Sequence, residues 1–226
     1  MEPLVSYVIP TYNRVEWVGE CIQSLLQQTI KDVEVIVVDD GSTDGTDELL
    51  NWFADKDKRV RVVFNAQNVG AGESRTIGHG LAKAPIIGIS DSDDVYPENR
   101  TEVILEWFKE NPHSEIVNFP YVRVGHFNEI LENFDGQPFD REHFKKTGEV
   151  NYFCNPSVAV KRESVLEVPY KKEESGKTDD YGFVTDWVAA GKAIDFCKYQ
   201  PLVMHRVLPD SVMAKLRGWK PEWSTK

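Results

Sequence analysis

The run Ile86-Ile87-Gly88-Ile89-Ser90 ends in Asp91-Ser92-Asp93-Asp94, and few folds accommodate an apolar segment that drives straight into three carboxylates. A near-continuous β-branched run reads as a strand buried on both faces, as parallel strands are. The carboxylates then crowd its C-terminal end, where they repel one another unless positive charge sits between them. In open α/β sheets ligands bind beyond the carboxyl ends of the strands, so the same feature places a site at that edge. A divalent cation answers the charge requirement. Carboxylate oxygens suit Mg²⁺ or Mn²⁺, and Mg²⁺ is commonly shared between one or two carboxylates and substrate phosphates. The alternative is a solvated acidic turn in which Asp94 caps the next helix.

The preceding residues repeat a strand–helix alternation. Leu4 to Pro10, Val33 to Val38, Arg61 to Phe64 and Pro85 to Ser90 read as strands. Between and after them, Val15 to Gln28, Thr46 to Phe53, Gly72 to Ala82 and Pro97 to Lys109 read as helices, the last with proline at its start. Such alternation calls for a mostly parallel sheet with right-handed crossovers. After about Glu115 the pattern changes. Glu115 to Phe119 and Tyr121 to Gly125 are short strand-like runs, and Phe127 to Thr147 is polar, aromatic and unassigned. Asn151 to Lys161 is extended, Glu163 to Glu167 and Asp180 to Ala190 helical, and Ala193 to His205 strand-rich. No linker composition separates the halves. The expectation is a single α/β domain over residues 1–226, with a nucleotide-binding half (1–114) and a smaller mixed half (115–226).

A hydrophobic share of 41% with 28% charged residues is that of a globular protein. The net charge of −11 excludes a general nucleic-acid binder, which needs a basic face, but not a phosphate-bearing ligand met by a metal. No apolar run is long enough to span a bilayer and no cationic leader precedes the first strand. Cys21, Cys154 and Cys197 sit in apolar contexts without metal-type spacing and read as buried free thiols. Together these features imply a cytoplasmic location. The tail, Val212 to Lys226, mixes Leu216, Trp219 and Trp223 with Lys215, Arg217, Lys220 and Lys226; a packed terminus, a flap over the site and a cytoplasmic-face membrane contact all fit that mixture.

Four segments occur in order at strand ends: Val5-Ser6-Tyr7-Val8-Ile9-Pro10-Thr11-Tyr12-Asn13-Arg14, Val37-Val38-Asp39-Asp40-Gly41-Ser42, Asn68-Val69-Gly70 with Arg75, and Asp91-Ser92-Asp93-Asp94. Lys177-Thr178-Asp179-Asp180-Tyr181 and Val203-Met204-His205-Arg206 follow. This series resembles the family 2 glycosyltransferases of GT-A fold, and the resemblance extends over nearly the whole chain. It implies an inverting, metal-dependent transfer of a sugar from a nucleoside diphosphate, uridine-based, to an acceptor hydroxyl. A saccharide, a lipid-linked glycan and a protein all remain possible acceptors. The resemblance places Pro10, Thr11, Tyr12, Asn13, Arg14, Asp39, Asp40, Asn68, Gly70, Arg75, Asp91 and Ser92 around the nucleotide sugar. Asp39 or Asp40 can accept from a base imide N–H, and the resemblance favours Asp40. Arg75 faces the phosphates or organises the carboxylates. Asp91 lies toward ribose or sugar, and Asp93 is the metal ligand. His205 either completes the metal site or is structural. Asp180 is the general base by resemblance, against a plain helix N-cap. Two departures stand out: Asp186 occupies a position where the family commonly has arginine, and Val95-Tyr96 leaves a short connection before Pro97. A sugar nucleotidyltransferase would show a glycine-rich, lysine-bearing phosphate loop after the first strand, which is absent here. A silent nucleotide- or sugar-binding module has no need of Asp180.

Overall fold

A computed structural model of the protein describes residues 2–135, 138–147, 153–171 and 179–208. Its main sheet has seven strands in the order β3-β2-β1-β4-β8-β5-β9. These are β1 (Val5–Thr11), β2 (Val33–Asp39), β3 (Val60–Phe64), β4 (Ile86–Ile89), β5 (Ile116–Asn118), β8 (Val158–Lys161) and β9 (Asp195–Phe196). The first four run parallel, β8 is antiparallel to both its neighbours, and β9 is parallel to β5. A second sheet of three strands, β10-β6-β7, joins β6 (Tyr121–Val124), β7 (Ile130–Phe134) and β10 (Met204–Arg206). The mostly parallel sheet with a smaller mixed region is the expected architecture. Buried Cys21, Cys154 and Cys197 are free thiols, as expected, and among the described residues no helix is long and apolar enough to cross a membrane.

The strand patterns explain the layering. All seven residues of β1 and of β2 are buried, which requires cover on both faces. α1 (Val18–Leu26), α2 (Thr46–Lys56) and α4 (Arg100–Glu110) supply one side, where Val18, Ile22, Leu25, Leu50, Ile104 and Phe108 pack on Val5, Tyr7, Val35 and Val37. On the other side, α3 (Ala71–Leu81), α6 (Arg162–Glu167) and α7 (Asp179–Ala189) cover Val8, Ile36, Val38 and Ile87 with Ile77, Val165, Phe183 and Trp187. Two glycines are dictated by close approach. A Cβ at Gly78 would lie 2.4 Å from Val8 Cγ1, and one at Gly88 would lie 2.5 Å from the Tyr7 ring. Any side chain there would push α3 off β1 or displace Tyr7.

Register sets the level of the site. Thr11 pairs with Asp39, whereas the ladder between β1 and β4 ends at Val8 and Ile89. β1 therefore runs on beyond β4, and Pro10, which has no N–H, removes no ladder bond there. Several boundaries differ from the sequence reading, among them the start of the first helix, at Val18 and not Val15. α4 opens at Arg100, not Pro97, because the end of the first helical segment claims the residues in between: Gln28 donates to the Pro97 carbonyl (2.8 Å) and Thr29 N–H to that of Glu98 (2.7 Å). The unassigned stretch 127–147 contains β7 and a short helix α5 (Arg141–Thr147), both too polar on their outer faces to show a clean period.

Candidate active site

The C-terminal ends of β1, β2 and β4 meet loops that fix one another through side chains. Asn13 takes a left-handed conformation (φ 50°), a shape asparagine tolerates. Its Oδ1 accepts from Thr43 N–H (2.8 Å) and its N–H donates to Ser42 Oγ (2.8 Å). The loop after β1 is thereby stitched to the loop after β2. Thr11 is buried, with its hydroxyl lacking a partner, and Tyr12 beside it is exposed. Asn68 is also exposed.

The two aspartates after β2 divide their work. Asp39 accepts from Ser42 N–H (3.1 Å) and Ser42 Oγ (2.5 Å). Asp40 accepts three times, from Asn65 Nδ2 (2.9 Å), Val69 N–H (2.9 Å) and Gly70 N–H (2.8 Å). Gly70, at φ 98°, turns the chain so that its amide can reach Asp40. The carboxylate expected at the base thus also holds the neighbouring loop. Three of the about four lone-pair directions of this carboxylate are taken by the loop from Asn65 to Gly70. Neither acid caps α2, whose cap position is Gly45.

In the acidic loop the three carboxylates face different partners. Asp91 pairs with Nη2 of Arg75, whose side chain is 5% exposed, and Nη1 of the same guanidinium pairs with Asp179. Arg75 thus organises carboxylates, one of its two expected roles. Asp94 is fully buried and accepts from Arg206 N–H (2.8 Å), with His205 Nδ1 at 3.2 Å from both its oxygens. It ties the loop to β10 and caps no helix. Asp93 keeps its side chain 16% exposed, 3.7 Å from Arg14 Nε. Ser92 between them is buried. Tyr96 closes the short connection, its hydroxyl accepting from Asp91 N–H (2.9 Å) and its ring lying under the Arg100 guanidinium (4.1 Å).

Electrostatics set the condition of this loop. Burial first, then Asp94 and Asp91, push the Asp93 carboxyl up to about 7, with Arg14 and His205 opposing. Burial would lower the His205 imidazole, but Asp94 outweighs it and the group is pushed up to about 9. A carboxylate whose ionisation is opposed in this way is short of positive charge, which a divalent cation supplies. His205 uses Nδ1 on Asp94 and keeps Nε2, the arrangement of a metal-binding imidazole oriented by a carboxylate. These residues fit a divalent cation. Among the described residues no three His, Cys, Asp or Glu side chains already converge on one point, so bound phosphate and water would complete the coordination of such an ion.

α7 begins at Asp179. Asp180 is half-buried and accepts Tyr181 N–H through Oδ1 (2.8 Å), while Asp186 pairs with Lys171 (2.7 Å). Three participants escape the sequence reading: Asp179 as Arg75's partner, Arg100, and Arg206. Arg206 is buried, donating to the Asp93 carbonyl (2.9 Å), Glu20 (2.8 Å) and Asn128 (2.6 Å) above the Trp17 ring (4.5 Å). Nothing local in the sequence signals them; their partners come from elements distant along the chain.

Known proteins resemble this chain in sequence and in fold. The model of the family described as "Glycosyl transferase family 2" matches residues 6–168. The glycosyltransferase GlyG of Streptococcus pneumoniae is 33% identical over 160 residues, 71% of this chain and 48% of that protein. An uncharacterized glycosyltransferase of Haemophilus influenzae is 31% identical over 192 residues, 81% of this chain and 71% of that one. Among solved structures, residues 1–349 of S. aureus TarS in complex with UDP-GlcNAc superpose with a TM-score of 0.72 at 19% identity, covering 95% of this chain and 61% of that one. The mannosyltransferase PcManGT of Pyrobaculum calidifontis, in complex with GDP-Man and Mn²⁺, gives 0.64 at 20% identity, covering 87% and 55%. The chain thus spans about half the length of GlyG and three-fifths of the TarS fragment. The fold is of the GT-A type, and the family match runs from the first strand through the acidic loop to the end of α6: the chain belongs to glycosyl transferase family 2.

Proposed function

We propose that the protein transfers a sugar from a uridine diphosphate sugar to an acceptor hydroxyl with inversion, in a divalent-metal-dependent reaction. The observation that carries this reading is the convergence of the acidic loop after β4 with the acidic start of α7, bridged by Arg75. Asp93 and Nε2 of His205 would hold Mn²⁺ or Mg²⁺. Such an ion, when bound, neutralises charge on the departing diphosphate. Asp180 accepts the acceptor's proton while the acceptor oxygen attacks the anomeric carbon from the face opposite the diphosphate. The new C–O bond forms as the bond to the diphosphate breaks, and the leaving group departs with the electron pair. Asp39 is the better placed of its pair to take a uracil imide N–H, since its carboxylate serves Ser42 alone in the hydrogen bonds described above. Thr11, Tyr12, Asn13, Arg14, Asn68, Gly70, Asp91 and Ser92 form the surrounding rim. The acceptor side falls to the half 115–226, and we place the reaction in the cytoplasm, where buried free thiols persist. The tail considered for membrane contact, Val212 to Lys226, lies outside the described residues.

A panel of UDP- and GDP-sugars with Mn²⁺, Mg²⁺ or EDTA tests this reading by hydrolysis and by calorimetry. The expected result is metal-dependent UDP binding and turnover that Asp93→Asn, a nearly isosteric change, abolishes without unfolding the protein. Unaltered metal-dependent binding and turnover in that variant would reject the metal assignment. Binding without turnover of any nucleotide sugar would favour the silent module.

A further inference from the structure

Arg75 is buried on α3 and bridges two acids that belong to different parts of the site: Asp91 closes β4, and Asp179 opens α7 immediately before Asp180. An N-terminal carboxylate on a helix is already favoured by the macrodipole, so helix capping alone leaves the buried arginine unexplained. We propose that Arg75 and Asp179 are positioning residues that fix Asp180 relative to the acidic loop. The purpose of the bridge rests on the reading of Asp180 as the base.

Three further contacts give the bridge a rigid origin. α3 is seated directly on β1, where Gly78 leaves no room for a methyl group against Val8. Six residues earlier, a Cβ at Gly72 would lie 2.3 Å from the Lys171 carbonyl oxygen and 3.1 Å from Asp179 Cβ, so the α3 backbone touches the chain at Lys171 and at the start of α7. Thr76 Oγ1 donates to the Tyr170 carbonyl (2.7 Å), and the Tyr170 ring stacks on Phe183 of α7 at 4.1 Å and 2°. Gly72, Arg75 and Thr76 therefore grip α7 and its approach from one helix face, as their three- and four-residue spacing requires. Because Asp180 follows Asp179 directly, whatever fixes Asp179 fixes the base. The cation that orders the base helix is in turn held by a carboxylate of the donor side.

The test uses the full chain and two isosteric variants, Asp179→Asn and Asp91→Asn, each removing one arm of the bridge. Hydrogen exchange at the amides of Tyr181, Gly182 and Phe183 reads the position of α7 without any substrate, and calorimetry with UDP and Mn²⁺ reads the donor side. Exchange at these amides is expected to quicken in both variants, including Asp91→Asn, whose change lies on another element. Asp179→Asn should lower kcat by about 10- to 100-fold, the range for a displaced catalytic group, with the UDP Kd little changed. Arg75→Lys, a point charge that reaches one acid at a time, should restore part of the kcat lost in Arg75→Met. Unchanged exchange in Asp179→Asn or Asp91→Asn overturns the bridge, as does a UDP Kd that weakens in step with kcat in Asp179→Asn. Wild-type turnover in Asp180→Asn overturns the base reading instead, and the exchange data separate the two failures.

Discussion

The site is built from two regions that contribute in opposite ways. The donor edge comes from the ends of β1, β2 and β4, where chain neighbours act together: Asp39 with Ser42, Asp40 with the loop to Gly70, and three acids within four residues. The second half delivers single groups across long sequence distances, the His205 imidazole and the Arg206 backbone N–H onto Asp94 and the Asp179 carboxylate onto Arg75. A damaged donor edge should therefore lose binding, whereas a damaged delivered group should lose turnover or stability. The contrast can be broken at either side.

The largest expected effect is at Asp180. If it only caps α7, Asp180→Asn retains most activity, because asparagine caps about as well as aspartate. As the base it cannot be replaced by an amide, and transfer should fall by about 10² to 10⁴ with UDP affinity preserved. Transfer rate and UDP binding measured on the same preparation decide it. Wild-type turnover would move the base assignment to Asp179 or Asp186.

Arg206 comes next. Arg206→Leu strands the Asp93 carbonyl, Asn128 and one face of Glu20. Removing one partner of a buried charge network costs about 3–5 kcal/mol, and the half-exposed Glu20 should hold this case near the lower end. Denaturant unfolding checks the cost. A loss under about 1 kcal/mol, the scale of an exposed pair, would show that the loop stands without its β10 clamp.

These two regions also differ in how far the sequence reveals them. The alternation of buried runs and helices yields the parallel sheet, because period and burial are local properties. The strand ends, and hence the acidic loop, follow from the same local pattern. Arg75's twin pairing does not, since Asp179 is 104 positions away in sequence and nothing local signals it. The hold of Asp40 on its loop is hidden for a similar reason. Its partners Val69 and Gly70 offer backbone N–H groups, which every non-proline residue carries. β7 and α5 lack a legible period because β7 is exposed along nearly its whole length and α5 buries one residue, Phe144.

The acidic loop predicts a pH dependence of stability that metal should erase. Asp93 binds its proton more tightly in the folded protein, about 7 against an ordinary 3.8. This contribution is present at low pH and is lost as pH rises toward and past 7. His205, raised from 6.5 to about 9, adds a contribution that is complete below 6.5 and is lost as pH rises through 9. Both act in one direction. In EDTA, Tm should fall from pH 5.5 to 9, and Mn²⁺, which binds the deprotonated ligands, should flatten or reverse that slope. Asp93→Asn should remove the lower part of the slope and leave the part due to His205. A Tm in EDTA that climbs over this interval would contradict the charge-starved loop.

The smallest effect, and the sharpest separation within the donor edge, lies between Asp39 and Asp40. In Asp39→Asn the amide oxygen can keep Ser42 N–H, and the Ser42 hydroxyl can reverse its role and accept from the new NH₂ group. The fold should lose little, yet an imide N–H would lose its carboxylate acceptor, so UDP affinity should fall by about tenfold, the equivalent of one modest hydrogen bond. In Asp40→Asn no such exchange is open, because all three partners are N–H donors. An NH₂ group there faces another donor, which should cost about 1–3 kcal/mol of stability. UDP affinity should change only as far as the Asn65–Gly70 loop shifts. Thermal unfolding and UDP calorimetry on both variants read the two effects separately. If Asp40→Asn instead loses UDP binding at unchanged Tm while Asp39→Asn binds normally, the base contact belongs to Asp40 and the loop is held by other means.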